Sequence, residues 1–250
     1  MMDLHARLAD GQAIAGETLE GIDWQNGSFE AAVFTDCVFL NALFIGANFA
    51  GGRFTRCRFQ RCRFAHADLH ETVFEDCVLV DRSEPPVGTP FASCDLRGAR
   101  LRQCDLSFAA FDRCDLFCID MEGCNLLGSR FSHVDFSHAY SRKLVKTQAR
   151  FHRCQLGLAD LSALRLNSCD LSASMLREAD LGGTDLSGAD LRDCDLFQAT
   201  LDGAKLDTAD LRGAEISGLN LLRLAGYRQM KINADQQHVL LIALGIDVEP

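Results

Sequence analysis

A bulky apolar residue returns at every fifth position through most of this chain, and that interval leaves few ways to fold it. From Leu19 the series runs Trp24, Phe29, Phe34, Phe39, Phe44, Phe49, Phe54, Phe59, Phe64, Leu69, Phe74 and Leu79. It resumes at Phe91, passes through Leu96, Leu101, Leu106, Phe111, Leu116, Met121, Leu126, Phe131 and Phe136, and runs again from Phe151 through Leu156 and Leu161 to Leu211, Ile216 and Leu221. Two residues before each beat stands something small (Ala47, Cys57, Ala67, Ala179, Ala189, Ala209), and the residue between is often Asp or Asn, as at Asn48, Asp68 and Asp95. Self-similarity at a short fixed period marks a solenoid.

An amphipathic helix needs apolar residues three and four apart, and a strand needs them two apart. A coil with four flat sides satisfies five: each side is one repeat, and about twenty residues close a turn. The large residue and the small one two before it then point inward, and so narrow an interior has no room for two large side chains per side. Successive coils stack at about 4.8 Å and hydrogen-bond through their backbones.

Twelve cysteines raise the question of disulfides or metal. Cys37, Cys57, Cys62, Cys77, Cys94, Cys104, Cys114, Cys124, Cys154, Cys169 and Cys194 all occupy the small inward site, interchangeably with Ala; only Cys118 falls outside it. There they act as small hydrophobes, which implies a reducing compartment and no metal or other cofactor. His66, His70, His133, His138 and His152 are scattered over different repeat positions without partners at ligand spacing. No catalytic motif is present, so the expectation is a protein that is not an enzyme. No stretch approaches the length of a bilayer span. The start, MMDLHARLADG, does not read as a signal peptide. A cytoplasmic protein with no membrane partner follows as the expectation.

Two interruptions break the beat. VDRSEPPVGTP (80–90) holds Pro85, Pro86 and Pro90, and proline cannot donate to a backbone ladder. This segment is expected to leave the coil as a loop. From about Ser137 to Arg150 the frame persists, but Ser141 and Lys146 stand where large apolar residues belong. A second loop carrying Arg142, Lys143, Lys146 and Arg150 is expected there. Both could be tolerated insertions, yet loops on rigid scaffolds carry function disproportionately. After Leu221 the beat ends. Asn233 or Ala234 can open a helix that Gly245 stops, and Val239, Leu240, Leu241, Ile242, Leu244 and Ile246 form its apolar cluster. One face can cap the open end of the coil, and the surplus suggests a second subunit, with Val239, Leu240, Leu241, Leu244 and Ile246 as dimer contacts. The organisation expected is an N-terminal segment with weak repeats at 1–18, the coil at 19–225, and a capping and dimerisation segment at 226–250.

Runs such as ADLGGTDLSGADLRDCDL (179–196) resemble the pentapeptide-repeat family over roughly residues 14–225. The resemblance implies a mainly β fold, a right-handed quadrilateral parallel β-helix. The frame-shifting loop after the Phe-rich coils, the second loop and the ending LGIDV look like the Qnr branch, whose members protect DNA gyrase and topoisomerase IV from quinolones. Carried over, the resemblance implies homodimerisation through the C-terminal end and topoisomerase contacts from the loops, here Asp81, Arg82, Glu84, Arg142, Lys143 and Lys146. The alternative is a general interaction scaffold of the same family with no topoisomerase role.

The net charge of −10 disfavours direct nucleic-acid binding and favours a basic partner. Asp160, Asp170, Asp180, Asp185, Asp190, Asp195 and Asp210 stand just before the beat and make the C-terminal half an acidic surface. Ten or eleven coils give a rod of about 50 Å, which fits the DNA-mimic account offered for the family. Duplex DNA carries a charge every ~1.7 Å, so mimicry can only be partial. Arg53, Arg56, Arg58, Arg61 and Arg63 form a band that DNA would not imitate.

Overall fold

The computed structural model describes residues 4–141 and 144–246. Its backbone is a parallel β-solenoid. Ile14 pairs with Phe34, Phe34 with Phe54 and Phe54 with Phe74, each partner one coil further along. The column crosses the two interruptions by pairing Phe74 with Leu101, Leu101 with Met121 and Met121 with Phe151. It then continues through bridges linking Arg150, Asp170, Asp190, Asp210 and Lys231. This column is the first face. The second carries Leu19, Phe39, Phe59, Leu106 and Leu156; the third Trp24, Phe44, Phe64, Phe91 and Phe111; the fourth Phe29, Phe49, Leu69 and Leu96.

The interior is built by stacking like on like. On the third face, successive phenyl rings from Phe44 through Phe64, Phe91 and Phe111 to Phe131 lie near-parallel, with centroids 4.5 to 4.9 Å apart. Around the corners, rings meet edge to face, as Phe34 meets Phe39 at 5.2 Å. Both arrangements suit the ring quadrupole. Eleven of the cysteines are buried and all are free. Burial pushes the Cys62 thiol up to about 11 and those of Cys169 and Cys194 to about 12.

The small inward site has a second use. Cys57 Sγ donates to the Phe34 carbonyl at 3.5 Å, Cys124 Sγ to that of Leu101 at 3.4 Å, and Thr184 Oγ1 to that of Leu161 at 2.7 Å. At these positions the side chain binds the carbonyl of a beat residue in the previous coil, which Ala cannot do.

The residue before the beat decides how a face is made. Where it is Val33, Val38, Arg53, Arg58, Arg63 or Val73 the face is a three-residue strand, though Val78 and Arg165 make single bridges. Where it is Asp or Asn, Asp120 apart, the face is a turn held by one bridge. There the side chain accepts the amide two residues on: Asn48 from Ala50, Asp95 from Arg97, Asp160 from Ser162, Asp180 from Gly182. This is an Asx turn, and it gives that amide an acceptor within its own repeat.

Both ends are closed by helix. The first, α1 (Leu4–Ala9), buries Leu4, and Arg7 reaches Glu17 at 2.8 Å. Pairing begins at Ile14, ahead of the expected start at 19. At the other end a 3-10 turn, Leu221–Arg223, adds one residue, so Lys205 bridges Gly226 and Asp210 bridges Lys231. The boundary expected at 225 therefore falls inside the last coil. Next comes α2 (Gln237–Ala243), entered through Asn233, whose amide donates to Gln236 Oε1 at 2.6 Å. Among the described residues, no helix is long and apolar enough to cross a membrane and no His, Cys, Asp or Glu cluster could hold a metal ion.

Candidate interaction surface

The first interruption is a β-hairpin, Val80–Asp81 against Val87–Gly88, standing at the corner between the second and third faces. It ends earlier than expected. Pro90 is not in the loop but opens the strand Pro90–Ala92, pairing with Ala110 on the later coil, while Phe64 on the earlier coil pairs with Phe91. The missing N–H thus falls at the first residue of a strand, where the ladder tolerates it. Of the residues assigned to this loop, Asp81 is half-buried and accepts the Ser83 amide, and Glu84 is exposed. Arg82 turns back to the coil, its Nη2 2.9 Å from Asp105 Oδ2. Asp105 also accepts from Ser107 N and Oγ and from Asn125 Nδ2. Burial pushes the Asp105 carboxyl up, but the Arg82 and Ser107 bonds outweigh it and hold it below its ordinary value. Asp105 moors the hairpin, and no loop motif pointed to it.

The second interruption is also a hairpin, Ser137–Ser141 against Leu144–Thr147, with a register shift between Ala139 and Ser141. Arg142 and Lys143 lie outside the described residues. Lys146 is exposed and pairs in register with His138. Arg150, expected in this loop, belongs to the strand Ala149–His152, because the coil resumes there. Its guanidinium lies among Asp120 (3.4 Å), Glu122 (3.4 Å) and Asp170 (3.2 Å). The hairpin base rests on Phe117, which meets His138 at 5.3 Å, and His138 meets Tyr140 at 4.9 Å. Tyr140, Leu144 and Val145 are exposed.

The seven aspartates do not form one stripe. Asp170, Asp190 and Asp210 stack on the first face, Asp160 and Asp180 on the third, Asp185 on the fourth, and Asp195 on the second, next to Glu215. Several are paired within the chain: Asp190 with Arg192 (2.6 Å), Asp210 with Arg212 (2.7 Å), Asp170 with Arg150, and Asp195 with Arg177. Arg192 and Arg212 hold the Asp190 and Asp210 carboxyls below their usual value. A denser acidic column lies elsewhere. Asp68, Asp95, Asp115 and Asp135 follow one another on the fourth face, and burial together with the Asp95 and Asp135 carboxylates raises Asp115.

At the C-terminal end, Gln236 is buried and its Nε2 donates to the carbonyls of Leu211 (2.8 Å) and Ala214 (2.7 Å). Leu240, one helical turn on, is buried on the same side, and Val239 packs partly against the core. Leu240 is thus held by its own chain, contrary to its expected place in a dimer contact, since a residue four after Gln236 must face the coil as Gln236 does. Leu241 and Leu244 are half-buried. Ile246 is exposed, as are Leu222, Tyr227 and Ile242.

A model described as a pentapeptide repeat region matches residues 52–131, and one for pentapeptide repeats (eight copies) matches 25–61, 154–193 and 189–221. Curated proteins give no significant match. Among solved structures, a trypsin-treated variant of QnrB1, described as a plasmid-mediated fluoroquinolone resistance protein, superposes with a TM-score of 0.69. Its identity is 23%, and the alignment covers 96% of this chain and 100% of that one. Full-length QnrB1 gives a TM-score of 0.68 at 23% identity, covering 94% of this chain and 97% of that one. With the family matches spanning most of the coil and every face built from the same five-residue unit, this chain belongs to the pentapeptide-repeat family.

Proposed function

We propose that this chain is a cytoplasmic protein that works by binding rather than catalysis. Its partner is a type II topoisomerase, DNA gyrase or topoisomerase IV, which it protects from quinolones or similar poisons. The observation that carries the reading is the likeness to a fluoroquinolone resistance protein along nearly the whole chain, on a rod bearing two moored hairpins. Specific contacts come from the hairpins, through Glu84, Lys146 and the exposed Tyr140, Leu144 and Val145. Acidic side chains on all four faces supply long-range attraction to a basic surface. They resemble DNA in sign, not in spacing. The exposed Leu222, Tyr227, Ile242 and Ile246 at the C-terminal end supply the contact for a second copy, giving a longer symmetric rod.

Gyrase supercoiling with ciprofloxacin present, titrated with this protein from substoichiometric to excess, tests the reading. Recovery of supercoiling at low doses is expected. An unchanged drug response with enzyme from the matching organism overturns it. Shortening the second hairpin to a tight turn should lower protection while leaving the circular dichroism of the coil intact.

A further inference from the structure

Of the six exposed large apolar residues on the coil between Ile14 and Leu219, five lie on the second face: Phe108, Leu127, Leu158, Met175 and Phe197. The bridges Asp105–Asn125–Gln155–Met175–Asp195 place them on five consecutive coils, one per coil. Leu43, on the third face, is the sixth. Scattered single apolar residues on a surface need no explanation, but a row on one face does. The row is contiguous from Phe108 through Leu127 to the coil that carries Leu158. A Cβ placed on Gly128 would lie 2.9 Å from the Phe108 ring, and one on Gly157 would lie 3.3 Å from Leu127 Cδ1. At its far end Arg177 lies over the Phe197 ring at 5.2 Å. Its near end adjoins the first hairpin, where Gly88 touches the Phe108 backbone and Val87 is exposed.

Two members of the row hold a position unusual for their type. Phe108 (φ 59°) and Leu158 (φ 57°) stand at the left-handed corner of the repeat. Elsewhere among the described residues that corner holds Gly, small or polar side chains; these two are its only large apolar occupants. Large apolar side chains are the exception at this corner, and at 40% and 58% exposure Phe108 and Leu158 leave much of their surface to solvent.

We propose that this face is a docking surface for an amphipathic helix with basic flanks, laid along the rod axis. The pitch fits: a helix advances about 5.4 Å per turn and the coils about 4.8 Å, so each turn presents one apolar side chain to each coil. The mismatch over four intervals is roughly 2.4 Å. Gly128 and Gly157 leave the face shallow enough for a helix backbone to approach. Asp160, Glu178 and Asp180 line the corner beside Leu158, with Arg130 next to Asp160 on the preceding coil, so that the rim is net acidic. That acidic rim, on a chain of net charge −10, disfavours a second copy and favours a cationic helix. The inference stands apart from the topoisomerase reading, since it rests on this face alone.

The probe is a synthetic 18-residue helical peptide with leucine on one face and lysine on the others, titrated against the full chain by fluorescence anisotropy. A scrambled peptide of equal composition serves as the control. The expected result is saturable binding of the helical peptide that weakens at least tenfold in the double variant Leu158→Ser/Met175→Gln. Leu43→Ser should leave binding unchanged. Each substitution is on the surface, and circular dichroism checks that the coil persists. Equal binding by the scrambled peptide, or undiminished binding by the double variant, overturns the proposal in favour of charge alone. Self-association of the parent that the double variant abolishes, seen by light scattering, overturns it in favour of a second copy.

Discussion

The Phe-rich half of the rod and the Leu-rich half obey the same five-residue rule, yet they are held together differently. From Val33 to Val73 most faces are strands with phenyl columns stacked behind them. Beyond Phe151 the faces are turns held by isolated bridges, with an Asx bond where Asp precedes the beat. The residue before the beat tracks the change: β-formers and arginine in the strands, aspartate in the turns. The charge asymmetry of the molecule follows from this choice. The basic band at Arg53, Arg58 and Arg63 occupies strand positions, and the aspartates of the acidic half occupy turn positions whose amides they bind. Asp120 in a strand, and Val78, Gln155, Arg165, Met175, Thr200 and Lys205 in turns, are exceptions. Much of what reads as DNA-like acidity therefore also serves the turn, which any surface recognition must build upon.

If stacked rings carry the first half, truncating one should produce the largest effect in the molecule. Phe54 is fully buried between Phe34 (5.1 Å) and Phe74 (4.9 Å), and Phe54→Ala should cost ~3–5 kcal/mol by urea unfolding. Leu186→Ala, at an equally buried beat in the turn half, should cost less, ~2–3 kcal/mol. A reversed order would mean that the phenyl columns add nothing beyond the area they bury.

The two ends differ as well. The first coil is covered by the apolar Leu4 of α1, the last by a polar plug. Gln236→Ala would leave the Ala214 carbonyl without its partner and the Leu211 carbonyl with the Ala214 amide alone, and should cost about 2 kcal/mol. Because solenoid coils depend on their neighbours, amide exchange should quicken in residues 204–232 and stay unchanged before Phe136. A uniform change along the rod would contradict independent behaviour of the halves.

The beat was legible because a narrow interior admits one residue size per site, a constraint that every coil repeats. The spread of the aspartates over faces was legible too: Asp160 and Asp170 differ by half of a twenty-residue coil, so they lie on opposite sides. Other features leave no repeating trace. A lone Gln236 looks like any surface glutamine until a coil end needs donors. Asp105 and Arg82 are brought together only by the hairpin fold. Pro90 misled because its missing N–H matters toward one neighbouring coil and not the other. Leu240 reads as a dimer contact yet faces its own coil, because hydrophobicity does not tell which side of a short helix its own chain covers.

Mooring of the first hairpin gives a smaller effect. Asp105→Ala removes acceptors for Arg82, Ser107 and Asn125 and should cost about 1 kcal/mol, with faster amide exchange confined to 80–89. Asp105→Asn keeps an acceptor for the Ser107 amide and should cost less. Equal losses would show that the charge on Asp105, not its turn bond, holds the hairpin.

The smallest effect separates the two kinds of aspartate by sign. Asp190 and Asp210 are held below their usual value by Arg192 and Arg212. Their contribution to stability is complete above the unfolded carboxyl pKa and is lost as pH falls through the lowered folded value. Asp115 is raised by burial and by its carboxylate neighbours Asp95 and Asp135, so its ionisation opposes folding and the penalty disappears as pH falls through the raised value. Asp115→Asn keeps the acceptor for the Phe117 amide, which Asp115 Oδ1 now binds at 3.1 Å, and removes the like charge. It should stabilise the protein by roughly 0.5 kcal/mol at neutral pH, and the gain should vanish below the ordinary Asp pKa of about 3.9. Asp190→Asn should destabilise at neutral pH and approach the parent in acid. Unfolding midpoints at both pH values decide it: a gain for Asp115→Asn that persists in acid would place its origin in packing rather than in the stacked carboxylates.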